Sequence, residues 1–316
     1  MTTQSRTDIV VALGEVATGL VRDHLPSDAT FVAKPAAEDL RHATGAIARA
    51  DVLVDADLFA QTPLLKVVSR TGVGVDRVDI AEATRRGIAV VVTPGAGTNA
   101  VAEGTLAMTL HLVKRLRVAS ACVAQGRWAE RGGISMGDLE GATLGIVGYG
   151  RIGRRVAHLA RAFGMTVLAH DPYITESRPD LVTLEELRSR ANVITLHLPL
   201  TPETHHLIDA DFLAGALPGT ILINCGRGGL LDLDAADAAL EDGQLAGLGL
   251  DVFETEPPGH HPVFHRDDVV LSPHLMGLSA GATRATFAAA AQGVADVLAG
   301  RRPAALANPE WQPAHT

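Results

Sequence analysis

The chain has two cysteines, Cys122 and Cys225, in 316 residues. That is too few for the disulfide framework of a small secreted domain. It has no basic excess: 27 Lys and Arg against 36 Asp and Glu give a net charge of −9. With no Lys/Arg block to compensate locally, no nucleic-acid partner is expected. It has no stretch of about 20 apolar residues free of a charge or polar break, so no membrane span is expected. The N-terminus MTTQSRTDIVVALGE lacks the basic start, apolar run and small-residue cleavage site of a signal peptide. It has no fixed-period repeat and no low-complexity tract. The apolar share of 47% and charged share of 20% exclude a disordered chain, a collagen and a coiled-coil rod. A cytoplasmic chain of two domains is expected, since single cores seldom grow past roughly 250–300 residues.

What is there is alternation. Ile9–Leu13, Asp51–Ala56, Leu65–Arg70 and Ile88–Pro94 read as buried parallel strands, apolar on both faces and bounded by Gly, Pro or Asp. Ile80–Gly87 has helix spacing and a terminal Gly. Asn99–Trp128 reads mostly as one long helix, with Asn99 as its N-cap. A second series follows: strand Thr143–Gly150, helix Arg151–Gly164, strand Thr166–Asp171, helix Thr183–Ala191 and strand Asn192–Pro199. Strands Thr220–Gly226, Leu245–Phe253 and Asp268–His274 come next, and Gly281–Gly300 is a final Ala-rich helix. Strand–helix alternation predicts an α/β fold with parallel sheets.

Gly148-Tyr149-Gly150-Arg151-Ile152-Gly153 fits the G-x-G-x-x-G fingerprint, between a strand and a helix. Asp171 ends the next strand, near the expected offset of about 20 residues. Gly148 permits the tight turn, Gly150 lets the backbone approach a pyrophosphate, and Gly153 lets helix and strand pack closely. The diphosphate would sit at the helix N-terminus, where free N–H groups favour negative charge. Asp171 would accept hydrogen bonds from ribose hydroxyls and repel a 2′-phosphate, so NAD is expected over NADP.

GYGRIG with HDPY, INCGRGGLLD, GLDVFETEPP and SPH, in this order and spacing, resembles the D-isomer-specific 2-hydroxyacid dehydrogenases, among them the phosphoglycerate, glycerate and hydroxypyruvate/glyoxylate enzymes. SRTGVGVDRVDIAEATRRGIAV and TPGAGTNAVAE match as well, so the resemblance covers nearly the whole chain. It implies two Rossmann/flavodoxin-like lobes, with the cofactor domain inserted into a discontinuous substrate domain. Residues 1–98 plus 284–316 would form the substrate domain and 99–283 the NAD-binding domain. The resemblance further implies a homodimer and a small 2-oxoacid or 2-hydroxyacid substrate.

Hydride transfer is the cofactor's chemistry; the protein orients the acid, polarises its carbonyl and supplies a proton. His274, in LSPH, is suited by type to be the general acid in reduction and the general base in oxidation. Glu256, in ETEPP, would hydrogen-bond that imidazole, fix its tautomer and favour its charged form. Arg227, in CGRGG, would grip the substrate carboxylate and carbonyl with its planar fork. The family motif marks the same three. By resemblance, the Val73 and Gly74 amides would cradle the substrate carboxylate with Arg70 close by. The resemblance also implies cofactor contacts from Thr93, the backbone of Arg151 and Ile152, Thr204, Cys225, Gly226 and Asp251. Asp251 would face the nicotinamide amide, or else cap a strand end.

Other signals read as empty. His260, His261 and His265 lack a closed ligand set, and hydride transfer to NAD needs no metal, so none is expected. His205 and His206 read as a solvated or packing pair, and Trp128 as a packing or dimer-interface residue. One departure from the family is Leu275-Met276-Gly277-Leu278, where small residues are usual after the His. That bulk would narrow or reshape the pocket. Two other readings stay open. One is a non-catalytic NAD-sensing scaffold resembling a corepressor. The other is a relative oxidising formate or phosphite, against which Glu256 argues because the formate enzymes carry Gln near that position.

Overall fold

The computed structural model describes residues 7–175, 178 and 180–313. The expected substrate-domain segments and the N-terminal leader reading extend to residues 1–6 and 314–316, which lie outside the described residues. The chain divides into two compact units: one runs to Gly97 and resumes at Ala280, and the other spans Thr98–Ser279.

The first unit holds β1 (Ile9–Leu13), β2 (Thr30–Val32), β3 (Gly45–Ala48), β4 (Val67–Arg70) and β5 (Ala89–Val91) in the order β2-β1-β3-β4-β5. Every pairing is parallel. Its helices include α1 (Thr18–Val21), α2 (Ala37–His42), α3 (Ala56–Gln61) and α4 (Ile80–Arg85). A parallel sheet must be covered on both faces, and its strands are apolar throughout for that reason. Val54, Phe59, Leu65 and Ala83 cover one face.

Asp51–Ala56 is not the expected strand. Asp55 caps α3, its carboxylate accepting from the Asp57 and Leu58 amides at 3.1 Å each, and Val54 makes only an isolated bridge to Val78. An N-cap residue starts a helix, so the apolar run before it is cut short. The sheet is built instead from β3, a buried four-residue strand of Gly, two Ala and one Ile with no alternation to announce it.

The second unit holds β6 (Thr143–Val147), β7 (Thr166–His170), β8 (Val193–Leu196), β9 (Thr220–Asn224), β10 (Leu245–Leu250) and β11 (Val269–Leu271). Their order is β11-β10-β9-β8-β6-β7, all parallel. The first strand, β6, lies between β7 and β8, so the winding reverses there. In open α/β sheets ligands bind outside the strand ends at such a switch point. The helices are α5 (Thr98–Val113), α6 (Leu116–Ala124), α7 (Arg151–Ala162), α8 (Leu184–Arg190), α9 (Ala210–Ala214) and α10 (Leu233–Glu241).

The expected helix Asn99–Trp128 is broken in two, and Asn99 lies inside the first turn of α5 rather than capping it. Arg115 takes a left-handed conformation (φ 46°) that ends one helix before α6 begins. Beside it, Lys114 donates to Gly137 O at 2.7 Å and pairs with Asp138. The last helix, α11 (Ala280–Leu298), returns to the first unit, where Phe287, Ala290, Ala291 and Val294 pack on Val10, Ile47 and Val67. Among the described residues no helix is long and apolar enough to cross a membrane.

Candidate active site

The glycine turn after β6 has a different reason at each glycine. Gly148 has φ 93°, and a Cβ there would lie 2.7 Å from the His197 backbone. A Cβ at Gly153 would stand 2.2 Å from Gly148 O. Both positions therefore exclude side chains for the turn and for close helix–strand packing. A Cβ at Gly150 would meet no neighbouring element within 4 Å among the described residues. Gly150 is the N-cap of α7, with no capping side chain and no acidic residue in the first turn. The first-turn amides, those of Arg151 and Ile152 among them, have no intrahelical acceptor. An open, uncapped helix N-terminus with space above its glycine fits a diphosphate.

Asp171, just past β7, lies against the same turn. Its Oδ2 accepts from Tyr149 N at 2.9 Å and its Oδ1 from Tyr173 N at 3.1 Å. A carboxylate has about four acceptor sites, so capacity remains for ribose hydroxyls. The donor and acceptor set thus fits a dinucleotide.

The expected acid–base residues come from the ends of β9, β10 and β11. His274 follows β11 with φ 58° and donates its backbone N–H to Ser272 O at 3.0 Å. Its Nδ1 lies 2.8 Å from Glu256 Oε2. A carboxylate only accepts, so Nδ1 carries the proton in this pair. Glu256 Oε1 accepts from Phe253 N at 3.1 Å, which fixes the carboxylate's other end. The two side chains are 48% and 38% exposed, leaving the imidazole accessible to a small molecule.

Arg227 sits on a turn that buried Asn224 shapes. Asn224 Oδ1 accepts from Gly226 N at 3.0 Å, and its Nδ2 donates to Arg227 O at 2.8 Å. A Cβ on Gly228 would lie 1.9 Å from the Phe253 carbonyl carbon. The Arg227 turn therefore packs directly on the backbone that leads to Glu256. Asn224 is a site residue that the sequence reading missed. The available signal was a polar side chain ending the wholly buried run Thr220–Asn224.

Several expected cofactor contacts have other partners. Asp251 is 2% exposed, and its carboxylate accepts from the Leu275 and Met276 amides at 2.8 and 3.2 Å. Burial pushes its pKa up, against the Ser272 hydroxyl and those two amides. It caps the peptide that follows His274. Thr204 Oγ1 accepts from Thr201 N at 2.7 Å and donates to Pro199 O at 2.8 Å, pinning the turn after β8. Cys225 is buried, and burial pushes its thiol to about 12, so it is no nucleophile at neutral pH. The bulk of Met276 is absorbed by α5: a Cβ on Gly104 would lie 2.3 Å from Met276 Sδ.

In the first unit, Val73, Gly74 and Thr93 gather near the carboxyl ends of β4 and β5, where Thr93 N donates to Gly72 O at 3.0 Å. Thr93 Oγ1 is buried without a partner among the described residues. The Arg70 guanidinium is engaged by backbone carbonyls of its own unit. The residue is 2% exposed, with Nη2 on Ala50 O at 2.6 Å and Nη1 on Val52 O at 3.1 Å and on Arg49 O. Desolvation by burial lowers its pKa.

Comparison with known proteins identifies the family. The family described as D-isomer specific 2-hydroxyacid dehydrogenase, NAD binding domain, matches residues 106–276. A D-3-phosphoglycerate dehydrogenase of Methanocaldococcus jannaschii is 37% identical over 292 residues, covering 90% of this chain and 53% of that protein. The chain spans about half the length of the D-3-phosphoglycerate dehydrogenases it matches. A glyoxylate reductase of Thermofilum pendens is 38% identical over 270 residues, covering 81% of this chain and 79% of that one. The D-lactate dehydrogenase structure from Aquifex aeolicus, complexed with NAD and lactic acid, superposes with a TM-score of 0.81 at 28% identity, covering 95% and 99% of the two chains. The cofactor is a nicotinamide dinucleotide. By sequence, by fold and by the turn that fits its dinucleotide, this chain belongs to the D-isomer specific 2-hydroxyacid dehydrogenase family.

Proposed function

We propose that the chain interconverts a small 2-oxoacid and the corresponding D-2-hydroxyacid, with NAD preferred over NADP. The observation that carries this reading is the 2.8 Å contact between His274 Nδ1 and Glu256 Oε2. When bound, the nicotinamide supplies the hydride in reduction and takes it in oxidation. His274 gives its Nε2 proton to the carbonyl oxygen in reduction and recovers it in oxidation, while Glu256 holds the Nδ1 proton and the ring orientation. Arg227 grips the substrate carboxylate with its planar fork. The amides of Val73 and Gly74 add donors to the carboxylate. Arg70, expected beside the substrate carboxylate, takes instead the role of a positioning residue, since its guanidinium donates to the Arg49–Val52 carbonyls. The residues before Gly97 and after Ala280 form the substrate domain of this reading, and Thr98–Ser279 the cofactor domain.

The test is His274→Ala assayed with NADH against a panel including glyoxylate and hydroxypyruvate. Turnover should fall at least a hundredfold on the wild type's best substrate, the usual scale of a lost general acid. NADH affinity should stay within a few-fold, because the glycine turn is untouched. Unchanged turnover would overturn the role of His274. A wild type that binds NADH yet turns over no 2-oxoacid would overturn the enzymatic reading in favour of a sensor.

A further inference from the structure

Successive residues on extended backbone point to opposite sides, and the sequence alone makes His205 and His206 a solvated or packing pair. In the turn after β8, however, His206 takes φ 49°. The two rings stack with centroids 4.0 Å apart and planes 24° from parallel. Both Nε2 atoms then face one carboxylate. His205 lies 3.1 Å from Glu254 Oε1 and His206 lies 3.4 Å from Glu254 Oε2. We propose that His205, His206 and Glu254 form a site for a zinc-like divalent transition-metal ion, separate from the His274–Glu256 pair.

Spacing, chemistry and support agree on this. A tetrahedral ion with bonds of about 2.0–2.1 Å holds its ligand atoms about 3.3 Å apart. Each imidazole nitrogen already stands at about that separation from one oxygen of the shared carboxylate, and one ligand atom from each of the three residues falls within 4.8 Å of the others. Two imidazoles and a carboxylate suit Zn²⁺, Co²⁺ or Ni²⁺ rather than Mg²⁺ or Ca²⁺, which take oxygen ligands. For an ion to enter, each Nε2 gives up its proton and the tautomer moves to Nδ1–H, so binding competes with the carboxylate hydrogen bonds now seen. The backbone holds the ligands in advance: His205 N donates to Thr201 O at 3.0 Å and His206 N to Gly229 O at 2.8 Å. His205 and Glu254 are exposed, so an ion has a path from solvent and water can complete its coordination.

His260, His261 and His265 form no comparable group. His261 is engaged by Asp234 through Nε2 at 3.0 Å and by Val263 N through Nδ1 at 3.2 Å. Glu254 stands two residues before Glu256, and Gly229 two residues after Arg227. A bound ion therefore fastens together the turn after β8, the Arg227 turn and the segment leading to Glu256. The site stands whether or not the dehydrogenase reading does.

The test uses tag-free, chelator-treated full chain titrated with Zn²⁺ alone by calorimetry. One ion per chain is expected. His205→Gln and His206→Asn should each weaken binding at least tenfold; Asn tolerates the left-handed backbone at that position. Co²⁺ in place of Zn²⁺ should give a visible absorption that both variants lose. Glu254→Gln, a change to an exposed side chain, replaces either variant if it fails to show wild-type circular dichroism. No Zn²⁺ uptake by the wild type, or wild-type affinity in folded variants, overturns the site.

Discussion

Each proposed catalytic group rests on a buried or half-buried polar partner that the reaction itself does not use. Asn224 shapes the Arg227 turn, Asp251 holds the amides after His274, and the Phe253 amide fixes Glu256. Held rotamers keep reacting groups in productive geometry, which is where much catalytic power resides. Gly228 exposes this dependence most sharply, because a Cβ there would overlap the Phe253–Glu254 backbone. Gly228→Ala should lower stability by roughly 1–3 kcal/mol, the usual scale of overpacking, and should reduce turnover by displacing the segment that carries Glu256. A melting temperature and turnover equal to wild type would show that this contact does not matter. The sequence nominates His274, Glu256 and Arg227 by residue type together with the family motif, and the structure brings His274 and Glu256 into contact. The partners of Asp251 and Arg70 were not legible in the sequence, because a hydrogen bond to a backbone amide or carbonyl leaves no pattern along the chain.

At the scale of elements, the β6–turn–α7–β7 segment was the most legible part of the sequence. Its requirements are local: a turn with φ 93° at Gly148, a close helix approach at Gly153, and an acid one strand later. The Asp171 carboxylate joins β7 to this turn through Tyr149 N, and in the proposed role its charge would favour hydroxyls over a phosphate. Asp171→Ala should therefore narrow the preference for NAD over NADP, read as the ratio of the two kcat/KM values. An unchanged ratio would remove Asp171 from cofactor choice. Elements were misread where tertiary context outweighed pattern. The break between α5 and α6 depends on the left-handed Arg115 and on Lys114 reaching Gly137 and Asp138. Neither is visible to helix periodicity. The strand β3 was missed because one Ile among Gly and Ala carries little hydrophobic signal, although the sheet buries all four residues.

At the scale of the whole molecule, one half-buried histidine ties global stability to pH. The ring of His197 shares a 3.0 Å hydrogen bond between Nε2 and the Thr195 hydroxyl, while Nδ1 is shielded and has no partner among the described residues. Desolvation pushes this imidazole down to about 3. In the unfolded chain it titrates near 6.5, so below that pH the unfolded state binds a proton that the native state refuses. Stability should fall as pH drops from about 6.5 toward about 3, by up to ~1.4 kcal/mol per pH unit from this group. His197→Gln keeps a partner for Thr195 and removes the titration. Urea midpoints of the variant should fall less steeply than those of the wild type between pH 6.5 and 5; parallel slopes would exclude His197 as a source. The sequence by itself determined the parallel α/β class, the dinucleotide turn and the family, because these rest on apolar runs, glycines and short motifs that act locally. Only the tertiary structure decided which polar side chains serve the backbone and which stay accessible, and that two neighbouring histidines meet one glutamate. Those outcomes depend on contacts between residues far apart in the chain, and each polar group takes whatever partner the folded packing brings to it.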